Sequence, residues 1–207
     1  MKYLILIAVV LLSQLSYAQK RMVKTLSAEN IDVINFNFDK VYKIKVSTHK
    51  SPSIILEAEV EGENKQHIVL TNKRFMKSLY VTSNFQPTFK DANDKLSAHK
   101  IISIELNIKV PELKTIYIKS DIANVTGEGS YKKLTLELTN GNCQVTNYSG
   151  NALINTIEGN IEFHSNYAKI IANSAQGNVT TEDLTLGDDT ISLNSINGDI
   201  TVTKSQE

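Results

Sequence analysis

Four histidines, one cysteine and one cluster of oxygen ligands are the residues from which this chain could build a reactive centre. His49, His67, His99 and His164 stand 18, 32 and 65 residues apart, with no pair at the short spacing by which one turn or hairpin presents two ligands to zinc. Cys143 is the only cysteine. A reactive thiol needs an exposed, electropositive setting, and the apolar residues that share its place in the repeat described below make a buried small hydrophobe the better reading. Asp91, Asn93 and Asp94 in "KDANDKLSAHK" gather oxygens as a calcium loop would. An EF-hand register starting at Asp91, however, puts Leu96 where the loop needs glycine and Ile102 where it needs a bidentate glutamate. The sequence has no G-x-S-x-G elbow, P-loop or H-E-x-x-H. The expectation is no catalytic residue, no metal and no cofactor.

One segment remains a recognition candidate. Ser83 to Lys100 runs without sustained periodicity and carries Phe85, Pro87, Phe89 and His99. Compact domains seldom keep so long a loop without a use, and aromatic groups on a rigid scaffold commonly bind partners. Phe85, Phe89 and His99 are the possible binding residues. The competing and favoured reading is a lid whose phenylalanines cover an open end or edge, because unpaired edges invite aggregation.

Strands must position all of these residues. In "IISIELNIKV", Ile102, Ile104, Leu106, Ile108 and Val110 alternate with Ser103, Glu105, Asn107 and Lys109, the period of a half-buried strand. "VINFNF" (33–38), "VYKIKV" (41–46) and "IYI" (116–118) alternate likewise, with turn signals at Asp39-Lys40, Ser51-Pro52, Gly62 and Pro111. No helical stripe longer than two turns follows the first eighteen residues.

The later chain repeats itself. "NGNCQV" (140–145), "EGNIEF" (158–163), "QGNVTT" (176–181) and "NGDITV" (197–202) place Gly141, Gly159, Gly177 and Gly198 at spacings of 18, 18 and 21. Such a period points to a solenoid or array whose units cannot bury an apolar face alone. Counting back 21 residues from Gly141 reaches Ser120-Asp121-Ile122, a degenerate first copy. Cys143, Ile161, Val179 and Ile200 follow each glycine by two residues, and polar Gln144, Glu162, Thr180 and Thr201 come next, so each copy contributes a short strand with one face inward. Apolar runs before each glycine, such as "LTLEL" (134–138) and "TISL" (190–193), supply a second strand. The glycine is expected at a corner too cramped for a Cβ, followed by Asn142, Asn160, Asn178 and Asp199 as residues that tolerate or bond such a corner. Stacked at about 4.8 Å, these side chains form a ladder.

Other features bound the setting. Lys2, the apolar run Tyr3–Leu12 and the small-x-small Ser16-Tyr17-Ala18 read as a signal peptide over 1–18, with Gln19 the first mature residue. Residues 19–207 read as one β-solenoid domain, irregular over 29–118 and regular over 119–203. Lys and Arg total 22, as do Asp and Glu, which argues against a nucleic-acid or anionic-membrane partner held by net charge alone. Membrane contact is expected only through the signal peptide.

The exported start, the strands closing on "VPEL" (110–113) and the four glycine copies resemble the bacterial families of the auto-transporter adhesin head (GIN) domain and β-strand-repeat adhesins, over roughly Glu29 to Val202. The resemblance implies an all-β, right-handed parallel β-solenoid with coils of about 18–21 residues, placed in the periplasm, at the cell surface or outside the cell. It carries over no catalytic residue. This chain has "GNI" and "INGD" in place of the GIN tripeptide, and its "KDANDK" insertion lies outside the family pattern. The leading reading is a non-enzymatic envelope or surface protein of adhesin type whose partner is a glycan or an envelope protein. A periplasmic sensor or accessory protein is the alternative. A polysaccharide-active β-helical enzyme comes last, because Asp and Glu form no column beyond Glu158 and Glu162.

Overall fold

The computed structural model describes residues 20–62, 67–85 and 102–205. The alternating sequence folds as strands throughout: β1 (Lys20–Ser27), β2 (Val33–Phe38), β3 (Lys43–His49), β4 (Ser53–Gly62), β5 (Ile68–Phe75), β6 (Ser78–Phe85), β7 (Ile102–Pro111), β8 (Thr115–Ser120), β9 (Asn124–Asn140), β10 (Cys143–Glu158), β11 (Ile161–His164), β12 (Tyr167–Ser174), β13 (Val179–Thr181), β14 (Thr185–Ser195) and β15 (Ile200–Thr203). No described residue is in an α-helix. The strands form one mixed, open sheet that divides into two rows. The first row, before the glycine corner, runs β5-β6-β2-β8-β9-β10-β14-β12, and the second, after the corner, runs β1-β4-β7-β3-β9-β10-β11-β15-β13. β9 and β10 serve both rows, with 133–138 of β9 beside β8 and 124–128 beside β3.

A level of the structure is one strand from each row joined through a corner. Inner side chains of successive levels line up in register. Ile44, Val125, Cys143, Ile161 and Ile200 form one buried column, and Phe36, Ile118, Leu136, Ile154 and Leu193 another. Tyr131 stacks on Tyr148 at 5.5 Å, and Tyr148 meets the edge of Phe163 at 5.2 Å. The tyrosine hydroxyls find backbone carbonyls, Glu128 for Tyr131 at 2.9 Å and Asn151 for Tyr148 at 2.6 Å, so the rings stay buried without orphaned polar atoms.

Two expectations need correction. The first is a wholly parallel stack. From β2 and β3 onward the described ladders are parallel, but β1–β4, β4–β7 and β5–β6 are antiparallel. Alternation along one strand reports which face is buried and not the direction of its neighbour. The lysines of β1 reach across to β5, Lys20 to the Ile68 carbonyl at 3.1 Å and Lys24 to the Leu70 carbonyl at 2.7 Å, which covers two sheet edges at this end.

The second correction concerns the first copy of the repeat. Asn142 N–H donates to Asn124 Oδ1 at 2.9 Å, and β10 pairs Cys143 with Val125. The first copy is therefore Ala123-Asn124-Val125, 18 residues before Gly141, and not Ser120-Asp121-Ile122.

The levels also stack out of chain order. β15 lies between β11 and β13, and β14 lies between β10 and β12. The chain passes from β11 to the outermost level, β12 and β13, and then returns to fill the level beneath with its C-terminal strands. Packing gives the reason. The inserted level brings Ile191, Leu193, Ile200 and Val202 to the interior, all buried, whereas the outermost offers Ile170, Ala172, Val179 and Thr181. Burying the larger, more apolar set inside and leaving the smaller one at the end places more apolar area out of water. The three extra residues of the last spacing are consumed on the way back. Tyr167 pairs with Thr185 and Lys169 with Thr190, so Leu186–Asp189 bulge out opposite the single residue Ala168.

Candidate functional site

The repeat's conserved geometry is its corner. Gly141 has φ +130°, and a Cβ there would lie 2.0 Å from the Ala123 carbonyl oxygen. Gly159 and Gly198 face the carbonyls of Gly141 and Gly159 at the same 2.0 Å, and Gly177 faces that of Gly198 at 2.3 Å. Close approach of the level beneath excludes any side chain. The next residue bonds level to level. Asn160 N–H donates to Asn142 Oδ1 at 2.9 Å, Asp199 N–H to Asn160 Oδ1 at 2.9 Å, and Asn178 N–H to Asp199 Oδ1 at 2.7 Å. Asn124, Asn142, Asn160, Asp199 and Asn178 thus make a five-rung ladder in which each of the first four side-chain oxygens takes a backbone N–H of the next level.

A hydroxyl column three residues before the glycines braces the same corner. Ser195 Oγ accepts Gly198 N–H at 2.8 Å, Ser174 Oγ accepts Gly177 N–H at 2.9 Å, and Thr156 Oγ1 lies 3.0 Å from the Gly159 carbonyl. Thr156 and Ser195 are buried. The sequence signal, Ser or Thr three residues ahead of Gly, stands in "TIEG", "SAQG" and "SING" but has no place in the expectations above, which concern apolar columns.

Two grooves run beside this braced corner. One, of about 420 Å³, lies over the ladder and is lined by Asn124, Asn142, Asn160 and Asp199 with outward Gln144 and Glu162. Gln144 Nε2 donates to Glu162 Oε2 at 2.9 Å, so its surface is a row of amides and two carboxylates, Asp199 and Glu162. The other, of about 460 Å³, lies on the opposite side of the corner. There Ile157 and Ile196, 44% and 47% exposed, flank an outward amide column of Asn155, Asn194 and Asn173, with Asn194 Nδ2 donating to Asn155 Oδ1 at 3.0 Å. Glu137 continues this column and accepts the Tyr117 hydroxyl. Desolvation and that bond push the Tyr117 phenol up to about 12. An apolar strip beside regularly spaced amides suits a partner with both a hydrophobic face and polar groups.

The remaining chemically able residues do not converge. Cys143 is buried in its apolar column, and desolvation pushes its thiol up to about 12. His49 bonds the Ser53 carbonyl at 2.7 Å, and His164 Nδ1 lies 2.7 Å from Thr203 Oγ1. Among the described residues no three His, Cys, Asp or Glu side chains gather as metal ligands. Ser83, Asn84 and Phe85, read above as the start of the loop, are the end of strand β6; residues 86–100, with Phe89 and His99, lie outside the described residues, as do residues 1–18.

No family model and no curated protein matches this chain. Its structure is similar to that of a "putative cell adhesion protein" from Clostridium sporogenes ATCC 15579, with a TM-score of 0.64 and 19% identity over 91% of this chain and 100% of that one. A "putative adhesin" from Bacteroides fragilis NCTC 9343 covers 90% of this chain at 14% identity and a TM-score of 0.37, with 98% of its own chain covered. Another from Parabacteroides distasonis ATCC 8503 covers 89% at 14% identity and 0.35, with 97% of its own chain covered. At 19% identity the first likeness is one of fold alone, and the other two overlay too loosely to bear on this chain.

Proposed function

We propose that this chain is an exported, non-enzymatic binding module of adhesin type in the bacterial envelope or at its surface, folded as a right-handed β-solenoid of the kind its GIN-like motifs imply. The observation that carries this reading is the braced corner with the Ile157–Ile196 groove beside it. Glycine contact, an amide ladder and a hydroxyl column fix the spacing of the levels, so outward side chains repeat at about 4.8 Å on a surface that needs no ordering when a partner arrives. The fold shared with the "putative cell adhesion protein" from Clostridium sporogenes supports the same class. A glycan fits the groove best, because sugar rings present apolar faces and hydroxyls together and the groove offers isoleucine side chains beside carboxamides.

The experiment is retention of the mature protein on an array of bacterial and host glycans, beside the double variant Ile157→Glu and Ile196→Glu. Both positions are near half exposed, so the variant keeps the fold. The expected result is selective retention that the variant loses. Retention that survives the variant, or none by a folded protein, overturns the assignment to this groove.

A further inference from the structure

The charges of this chain cancel in sum but not in place. At the outer end, Glu182, Asp183, Asp188 and Asp189 fall within eight residues that hold no cation. At the opposite end, the turn between β5 and β6 reads Lys73-Arg74-Phe75-Met76-Lys77. Phe75 is 58% exposed and Met76, at the tip with φ +51°, is 84% exposed. Large apolar side chains at such exposure, on a hairpin tip framed by cations, need a reason.

Backbone bonds extend this tip into a surface. Asp32 N–H donates to the Lys77 carbonyl at 2.8 Å, Thr115 N–H to the Asp32 carbonyl at 3.1 Å, and Lys132 N–H to the Lys114 carbonyl at 3.0 Å. Lys77, Asp32, Lys114 and Lys132 are therefore successive steps along one corner of the levels, with Lys133 exposed beside them. Leu113, next to Lys114, is 69% exposed and stands two levels from Met76, about 10 Å at ordinary strand spacing. Six cations, three from the hairpin and three from the two later turns, thus stand on this corner with Asp32 and Glu112, and Asp189, which accepts the Gly150 N–H at 3.0 Å beside the turn that stacks on Lys132, bounds it on the far side. Of the six, Lys77 meets Asp32 at 3.3 Å, Lys114 Nζ caps the Ile31 carbonyl at 2.5 Å, and Arg74 donates to the Ser27 carbonyl. Lys73, Lys132 and Lys133 make no ion pair among the described residues. Lys50 and Glu29 offset each other at the rim, where they line one shallow cavity.

We infer that this corner, Phe75, Met76 and Leu113 within their cationic frame, docks on the surface of an anionic phospholipid bilayer. An anionic interface offers what the patch requires, a plane of negative headgroups for the lysines and an acyl boundary for a few apolar tips. A β-hairpin projects two such tips without unpairing its backbone, and long lysine stems reach headgroups while their methylenes lie on apolar surface. The segregation is invisible to the zero net charge, since residues 73–77, 114 and 132–133 meet only in the fold. The docking surface is separate from the Ile157–Ile196 groove and does not depend on the function proposed for it.

The test is sedimentation of the mature protein with vesicles of phosphatidylcholine alone and with about one third phosphatidylglycerol. Three variants accompany it: Phe75→Ser with Met76→Ser, Lys132→Ser with Lys133→Ser, and Leu186→Ser, an 84% exposed position at the other end. The expected result is binding to the anionic vesicles only, weakened by salt. Removing two cations should lower it about 25-fold, at about fivefold each. Removing the tips should lower it on the order of tenfold or more, and Leu186→Ser should leave it unchanged. Equal binding to neutral vesicles, no binding by the folded protein, loss on Leu186→Ser, or binding the tip variant retains would each overturn the inference. So would a protein partner that takes this face while vesicles do not.

Discussion

Replacing Gly159 by alanine tests the stacking geometry most directly. The added Cβ would sit 2.0 Å from the Gly141 carbonyl oxygen, against an ordinary contact of 3.4 Å or more. The two levels would have to part by about 1.4 Å, which exceeds what a close-packed interior absorbs by small side-chain shifts. Three bonds span that gap at the corner: Gly141 N–H to the Glu158 carbonyl at 2.9 Å, Cys143 N–H to the Asn160 carbonyl at 2.8 Å, and Asn160 N–H to Asn142 Oδ1 at 2.9 Å. Stretched by that amount, none remains a hydrogen bond. At a net 1 kcal/mol each the loss is about 3 kcal/mol, or about 6–12 °C in Tm for a chain of this length.

Two neighbours serve as internal standards. Gly177 meets the Gly198 carbonyl at 2.3 Å, yet its level is outermost and can lift away without opening an interior gap, so Gly177→Ala should cost about 1 kcal/mol. At Gly127 a Cβ would meet Val145, Leu134 and Val46 at 3.5–3.7 Å with no left-handed φ. Gly127→Ala should therefore fall within about 1 kcal/mol of the wild type and toward greater stability, because alanine restricts the unfolded chain. Urea titrations followed by circular dichroism give the midpoints. Equal midpoints for the Gly159 and Gly127 variants would refute the claim that carbonyl contact, and not glycine as such, governs the corner.

Further outcomes follow from the same structure. Asn142→Ala leaves the Asn160 N–H without its 2.9 Å acceptor and should lower stability by about 1–2 kcal/mol, measured by the same titration. Cys143, its thiol held up to about 12 by burial, should resist alkylation at neutral pH until urea unfolds the chain. Its raised pKa means that between the unfolded value, near 8.5–9, and about 12 the folded state binds the extra proton. Stability should fall as pH rises through that window, and less so in Cys143→Val. A cysteine pair at Glu162 and Thr201, register partners in β11 and β15, should close a disulfide on oxidation in a Cys143→Val background. A pair at Glu162 and Thr180 should not, since β15 stands between them; closure of the second pair alone would mean that the levels follow chain order.

The sequence made the strands legible because alternation is local. Ile104, Leu106, Ile108 and Val110 announce the buried face of β7, and all four are buried. Direction was not legible, since β4 and β7 show the same alternation whether their neighbours run with them or against them. The first copy was misplaced by three residues because Ala123 stands where later copies have glycine. The last spacing, 21, then suggested the wrong count. Of the candidate surfaces, the amide ladder follows visibly from the repeated Asn or Asp after glycine. The apolar groove does not, because Ile157 and Ile196 share their column with Thr139 and Ala175 and no periodicity marks it. The cationic corner was hidden for a different reason: its lysines come from three separate segments.

Coil order is the deepest of these losses, and it shows where local information ends. Every repeat copy offers the same corner, so Gly177 or Gly198 could stack on Gly159 and Asn178 or Asp199 could take the Asn160 oxygen. Backbone pairing is equally satisfied either way and cannot choose. What differs is side-chain volume two positions inside the strands: Leu193 against Ala172 before the corner, and Val202 against Thr181 after it. Each exchange moves an aliphatic side chain between the interior and the open end, a difference on the order of 1–3 kcal/mol apiece. A repeat whose corners are interchangeable thus leaves its stacking order to the core, and the least apolar copy becomes the outer face.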